Sequence, residues 1–253
     1  MTLPFNMNRM LETELHYPQR FTNMTQKNYG MLFWNEGNKA SHDSNHAVIT
    51  DHLGPEAFVR DIDFFYKTKG IQPRIYQSFK ANELEKLRPA LENHGFHIET
   101  KPGQFFVHDH EGSLSASSEL KIERLRSLSI DVMETIAIEY GGDWTIKVVE
   151  RHLLHPSYNL LGGFVNGELA SLASVGVFAG YSRVDDVYTR DKFRGRGFGG
   201  AMIDYLVRYH KQISDNHLYL YSADPSAIKL YLKGGFSQIP QNFDFWQAWK
   251  EVG

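Results

Sequence analysis

Apolar and polar residues alternate along Leu120–Leu125, a period of two that predicts a strand. The period then lengthens. Ile130, Met133, Ala137 and Tyr140 recur at helical spacing, and Gly141-Gly142 stops the run. A second helix is predicted across Thr145–His155. Two strand-like runs follow, Tyr158–Val165 and Glu168–Phe178, joined by Asn166-Gly167. Both turn residues accept positive φ, so the runs predict a tight antiparallel hairpin. Val184–Thr189 predicts a further strand. Phe198, Ala201, Met202, Tyr205, Leu206 and Tyr209 then form one continuous apolar stripe, the buried face of a helix. His217–Ser222 reads as a strand, and Asp224 is placed to cap a helix with Pro225 in its first turn. That helix ends at Gly234-Gly235, and a last strand is predicted near Phe243–Trp249. The order is β-α-α-β-β-β-α-β-α-β. It predicts an α+β fold, a mixed and mostly antiparallel sheet flanked by helices.

The first half carries a faint echo of this order. Leu91–Phe96 resembles Leu230–Phe236, Asp61–Lys67 resembles Met202–Arg208, and Ile75-Tyr76 resembles Leu220-Tyr221. The three pairs lie roughly 140 residues apart, as a fixed-period repeat requires. The alternative is a chance likeness of two unrelated α/β units. Pro89 falls inside a helix drawn from Asn82 to Asn93, which is therefore expected to break or kink. The Ser- and Gly-rich stretch His110–Ser118 reads as a linker. It suggests two units, 1–115 and 119–253.

Composition narrows the function. The 253 residues are enough for two domains, and 42% hydrophobic with 23% charged residues is ordinary for a globular protein. A net charge of -3 argues against a general electrostatic grip on nucleic acid. The absence of cysteine excludes disulfides, thiolate catalysis and Cys-based zinc sites. The first residues lack a basic segment followed by an apolar run, and no stretch approaches 18 apolar residues. The expectation is a cytoplasmic protein, monomer or homodimer, without a membrane partner. Histidines cluster at His42/His46, His108/His110 and His152/His155, but none completes H-E-x-x-H, so no metal is expected.

The chemically informative stretch is Val187–Gly200, VYTRDKFRGRGFGG. Glycines at 195, 197, 199 and 200 let a ligand approach the backbone, and the helix that follows points its positive end at the same place. Arg190, Lys192, Arg194 and Arg196 add four cations. Together these suit a pyrophosphate. Gly195-x-Gly197-x-x-Gly200 matches the dinucleotide fingerprint literally. A dinucleotide fold, however, runs a buried strand straight into the first glycine. Here Arg190, Asp191 and Lys192 intervene, and a hairpin precedes them.

Arg194-x-x-Gly197-x-Gly199 fits a Q/R-x-x-G-x-G/A signature. Asp224-x-x-Ala227-Ile228-x-Leu230-Tyr231-x-x-x-Gly235-Phe236 fits N-x-x-A-x-x-L-Y-x-x-x-G-F. On these two motifs the segment from about Glu119 onward resembles the GNAT family of N-acetyltransferases, with the first half a possible degenerate GNAT-like repeat. Asp224 stands where asparagine is commoner, and Thr189 where valine is usual. The resemblance implies acetyl-CoA as co-substrate and an amine acceptor, either a small molecule or amino-acid-like. It implies that backbone groups of Val187, Tyr188 and Thr189 pair with the pantetheine arm. Arg194, Gly195, Arg196, Gly197, Phe198, Gly199 and Gly200 would hold the pyrophosphate, with Asp224 and Ala227 at the pantetheine. Tyr231 would protonate the departing thiolate.

The chemistry sets its own demands. A protonated amine must lose a proton before it attacks, the tetrahedral intermediate needs a donor at its oxyanion, and the thiolate needs a proton. Asp185 and Asp186 are the base candidates, although strand alternation should turn one of them to solvent. Tyr231 shares a helical face with Ala227 and Leu230, so a packing role is the alternative. In the first half Gly54-Pro55 takes the place of the glycine loop, so no phosphate site is expected there, while Asp43-Ser44-Asn45-His46 is a polar cluster that could line an acceptor cleft. A protein that holds acyl-CoA as a sensor, without catalysis, is the competing function.

Overall fold

Residues 4–241, 243 and 245–251 are described by a computed structural model. In chain order the elements are α1 (Met7–His16), β1 (Asn23–Lys27), β2 (Gly30–Trp34), β3 (His46–Ile49), α2 (Pro55–Thr68), β4 (Arg74–Tyr76), α3 (Glu83–Asn93), β5 (His97–Lys101), β6 (Gln104–His108) and β7 (Lys121–Leu125). There follow α4 (Ile130–Tyr140), α5 (Trp144–Leu153), β8 (Tyr158–Val165), β9 (Glu168–Val177), β10 (Tyr181–Thr189), α6 (Phe198–Ile213), β11 (His217–Ser222), α7 (Pro225–Lys233), β12 (Phe236–Gln238) and β13 (Phe245–Trp249). Local chemistry sets many of these ends. The Ser129 hydroxyl accepts from the Val132 amide at the start of α4, and Gly141 at φ 79° ends that helix. Asn166 and Gly167 take φ 50° and 83°, the left-handed pair that the β8–β9 hairpin requires.

The strands form two sheets. One has the order β1-β2-β3-β4-β13-β5, the other β12-β6-β11-β10-β9-β8-β7. In the first, β3 and β4 are parallel; in the second, β10 and β11 are parallel. The first sheet therefore opens with three antiparallel strands and the second with four, and each continues with a helix, a parallel neighbour, a second helix and a closing strand. Asp61–Lys67 and Met202–Arg208 fall in α2 and α6, and Ile75-Tyr76 and Leu220-Tyr221 in β4 and β11. The internal repeat is real at the level of topology: two tandem GNAT-like halves.

Two strands have changed places. β13, from the end of the chain, lies between β4 and β5, whereas β6, from the first half, lies between β11 and β12. Contacts accordingly divide the chain into Met1–Met10 with Gly103–Asn242, and Leu11–Pro102 with Phe243–Gly253. This differs from a division at 115/119, and the last strand does not join the second half's sheet. The Ser-rich stretch is no free linker either. Its Ser113 amide donates to the Lys233 carbonyl at 2.7 Å, and a Cβ on Gly112 would come within 2.6 Å of the Gly234 carbonyl carbon. α3 also runs unbroken through Pro89. The proline removes one amide bond, and the buried face of Leu84, Leu87, Ala90 and Leu91 holds the rest.

In the first unit Ile62, Tyr66, Leu87 and Leu91 of α2 and α3 pack against Leu32, Ile49, Ile75 and Trp246 of the sheet. In the second, α6 lays Met202, Ile203 and Leu206 on Val175, Val184, Leu218 and Leu220. Its opposite face is covered by α4 and α5, through Val132, Ile136 and Val149 against Tyr158, Leu160 and Leu172. Among the described residues, no helix is long and apolar enough to cross a membrane.

Candidate active site

β10 and β11 start as parallel neighbours and then part. Their register runs from Tyr181↔His217 to Arg183↔Tyr219 and stops, although β10 continues to Thr189 and β11 to Ser222. Beyond Arg183, β10 keeps β9 as its partner and β11 keeps β6. Among the described residues the inner edges of both strands thus have no strand partner beyond that point, which leaves a slot for an extended group that carries amides.

A bulge marks the point of divergence. Asp185 pairs with Ser174 and Tyr188 with Leu172, three steps on β10 against two on β9. The extra residue sharpens the local twist. Asp186 takes φ 53°, which aspartate tolerates better than most residues. Val184 and Val187 both pack against the α6 cluster, with two aspartates between them where alternation allows one. The bulge therefore turns Asp185 and Asp186 to the same side, unlike the alternation expected of a regular strand.

Asp186 collects hydroxyl groups. Tyr158 donates to its Oδ2 at 2.6 Å and Ser174 to the same oxygen at 2.5 Å, while Tyr140 donates to Oδ1 at 3.2 Å. Its own amide donates to Asp185 Oδ1 at 3.1 Å, and the Arg183 guanidinium pairs with Asp185 Oδ2. Burial pushes the Asp186 carboxyl up to about 6, and the charge of Asp185 adds to this, while Ser174, Tyr158 and Arg183 pull the other way. A carboxylate tuned close to neutrality can accept a proton from a reacting amine and release it again. Sequence reasoning missed Tyr140, Tyr158 and Ser174. They come from α4, β8 and β9, and no motif joins them.

The glycine loop leads from β10 into α6. Gly195 and Gly197 take φ 77° and 81°, and a Cβ at either would meet no protein atom within 4 Å. Gly197 is the N-cap of α6 and offers no side chain, and the first intrahelical bond is Ala201 N–H to the Gly197 carbonyl, 3.0 Å. The amides of Phe198, Gly199 and Gly200 thus begin a 16-residue helix without intrahelical partners, as an anion site needs. Gly199 lies 3.3 Å (measured from a Cβ built there) from the Thr189 hydroxyl, so the loop is tight where it meets β10.

The four cations do not act together. Arg190 is tied to Asp131 at 2.8 Å and Glu168 at 3.4 Å, and Lys192 also pairs with Glu168. Both brace the β8–β9 end of the sheet. Arg194 bonds to the Thr189 carbonyl at 3.0 Å and pairs with Asp191 at 3.1 Å, and Arg196 pairs with Glu119 at 2.6 Å. These two pairs are solvent-exposed, so exchange for a phosphate costs little. In the first unit the corresponding helix α2 starts at Gly54, φ 89°, followed by Pro55, which has no amide to donate. The Asp43–His46 cluster folds in on itself there. Asn45 accepts from the Asn35 amide and donates to the Asn38 and Ser41 carbonyls, each within 2.8 Å.

Across the slot, Asp224 caps α7, its carboxylate accepting from the Ser226 amide at 2.7 Å and the Ala227 amide at 3.5 Å. Tyr231, on the same helix, is buried against Phe236 with ring centroids 6.1 Å apart. Burial, and then the charges of Asp185 and Asp224, raise its phenol above the ordinary tyrosine value, so it stays protonated. Tyr231→Phe keeps the ring and removes one proton donor. Turnover is expected to fall by roughly 10²–10⁴-fold if that donor serves the leaving group. Stability should change by no more than about 1.5 kcal/mol. Steady-state kinetics beside thermal melting checks both, and a normal rate would leave Tyr231 a packing residue.

The structure thus gathers Asp185, Asp186, Val187, Tyr188, Thr189, the 194–200 loop, Asp224, Ala227 and Tyr231 in one unit. No functionally curated protein matches the chain in sequence. Among solved structures, a GCN5-related N-acetyltransferase from Kribbella flavida is similar at TM-score 0.67 and 15% identity, covering 97% of this chain and 95% of that one. A functionally unknown conserved protein from Staphylococcus epidermidis ATCC 12228 gives 0.63 and 17%, with 91% and 94% covered. A tandem GNAT protein from the clavulanic acid biosynthesis pathway gives 0.57 and 14%, with 87% and 78% covered. At such identities these likenesses speak to the fold. The acetyltransferase (GNAT) family model matches residues 129–236, the stretch from the cap of α4 to the start of β12. That stretch holds the bulge, the slot, the glycine loop and Tyr231, and it is a GNAT acetyltransferase domain.

Proposed function

We propose that the second unit binds acetyl-coenzyme A and transfers its acetyl group to a primary amine. The observation that carries this reading is the parting of β10 from β11 beside the uncapped start of α6. The pantetheine amides would add to the free β10 edge at Val187–Thr189, and the pyrophosphate would meet the amides of Phe198, Gly199 and Gly200. Asp186 takes a proton from the acceptor ammonium. The amine nitrogen then forms a bond to the thioester carbonyl carbon, and a strand amide steadies the oxyanion. Collapse of the intermediate breaks the C–S bond, and Tyr231 protonates the thiolate. The products are an N-acetyl amide and free CoA. The amide nitrogen sheds its second proton to solvent, Tyr231 regains one from solvent, and Asp186 releases its own, so one proton leaves per turnover.

Calorimetry tests the donor. Acetyl-CoA should bind, with NAD much weaker; equal or tighter NAD binding would sink the reading. Gly197→Val should lower CoA affinity by more than about 10-fold, a loss above about 1.4 kcal/mol. The fold should survive, because the added Cβ meets no protein atom and the cost is backbone strain of about 1–2 kcal/mol. CoA release with a panel of amines then separates catalysis from sensing: binding without turnover of any acceptor would favour the sensor.

A further inference from the structure

The two oxygens of Asp186 are unequally served. Oδ2 accepts two short bonds, from Tyr158 and Ser174, whereas among the described residues Oδ1 has one hydroxyl donor, Tyr140, at 3.2 Å. Tyr158 and Ser174 stand on β8 and β9 and are 3% and 0% exposed. Tyr140 is 38% exposed and is the last residue of α4. Gly141 and Gly142 follow it at φ 79° and 156°, and nothing lies within 4 Å of a Cβ built on Gly141. Of the three hydroxyls, Tyr140's is the one that can leave without disturbing a sheet.

The charges around this oxygen have one predominant sign. Asp185 and Asp186 stand side by side, and their charges, with that of Glu139, all act on the Tyr140 phenol. The cation that acts on Asp186, Arg183, is itself committed to Asp185.

We infer that the Tyr140 hydroxyl occupies the seat of the acceptor nitrogen on Asp186 Oδ1, and that the acceptor is a cationic alkyl- or arylalkylamine without a neighbouring carboxylate. The inference rests on the acyl-transfer reading above and narrows it. An ammonium displaces the phenol because a charge-assisted bond is about twice as strong as a neutral one. It hands its proton to Oδ1 and becomes the nucleophile in place. An α-carboxylate on the acceptor would stand beside Asp185 and Asp186, where like charges repel in a poorly solvated site. Tyr140 is thus a positioning and specificity residue.

Matched pairs that differ by one carboxylate test this: phenethylamine against phenylalanine and tyramine against tyrosine, each with acetyl-CoA and the full chain. The amine should exceed its amino acid in kcat/KM by roughly 30-fold or more, equivalent to about 2 kcal/mol. Tyr140→Phe removes the competing donor, so KM for tyramine should fall about 5-fold, the worth of one hydrogen bond near 1 kcal/mol. That change should exceed the change in kcat. Equal or better use of the amino acids overturns the acceptor class. An unchanged or higher KM in Tyr140→Phe overturns the seat. Release of CoA with none of the four acceptors overturns acyl transfer itself, and this inference with it.

Discussion

Asp186→Asn is expected to lower kcat by roughly 10²–10⁴-fold, the usual worth of a positioned base. Asparagine suits the test because it also tolerates the left-handed backbone that this position holds at φ 53°. The pH profile gives a second reading. The active base is the carboxylate, and its pKa is pushed up to about 6, so wild-type kcat/KM should fall as pH drops below that value. The variant should lose this acid limb. The sign for stability runs the other way. A carboxyl raised above its unfolded value near 3.9 favours folding while it is protonated, and loses that favour as pH rises from about 4 through about 6. Asparagine carries no charge to bury, so the variant should melt no lower than wild type at pH 7. A slow, stable protein would assign the loss to chemistry. A retained acid limb near 6, with near-normal turnover, would move the base to Asp185.

A fragment that begins at Ser118 holds both family motifs yet is expected not to fold alone. It lacks β6, which pairs with β11 through four register positions and with β12 through three. It also loses Phe105 and Phe106, both within 1% of full burial. Two such side chains contribute about 1.5–3 kcal/mol each by burial alone. Unpaired sheet edges on both neighbours add to that loss. The total consumes much of the 5–15 kcal/mol by which a domain is normally stable. The complementary fragment 1–117 lacks β13 and with it Trp246, 2% exposed, so it should also stay unfolded. Mixed in refolding buffer, the two should recover a cooperative melt and CoA binding. Circular dichroism and calorimetry follow both. A cooperative transition in either fragment alone would show that the exchanged strand is dispensable.

Much of this was legible because local chemistry decided it. Asn166-Gly167 announced its turn, Asp224 its cap, and Gly141 the end of α4. The glycine loop was readable because a helix start without a capping side chain is a property of adjacent residues. The exchanged strands were not. Gln104–His108 and Phe245–Trp249 are five residues each, and a strand's own period says which face is buried but not which neighbour it pairs with. The repeat suggested two units with equal right to either strand. The bulge was hidden for a related reason, since it exists in the register between β9 and β10 and in neither sequence alone. Tyr140, Tyr158 and Ser174 became neighbours of Asp186 through that register. The loop's cations misled differently. Arg190 and Lys192 looked free until Asp131 and Glu168, more than twenty residues away in sequence, came beside them.

The exchange also fixes a timetable. As the ribosome extends the chain, β1 to β5 emerge early, but their sheet waits for β13, which begins at Phe245, long after β5 ends at Lys101. At roughly 5–20 residues per second, that wait is on the order of ten seconds. Throughout it the inner edges of β4 and β5 are open to any passing strand, which is the period of greatest risk for misassembly. A chain cut short before Phe245 leaves the first sheet without the strand that joins β4 to β5, whereas one that runs past Trp249 can close both sheets.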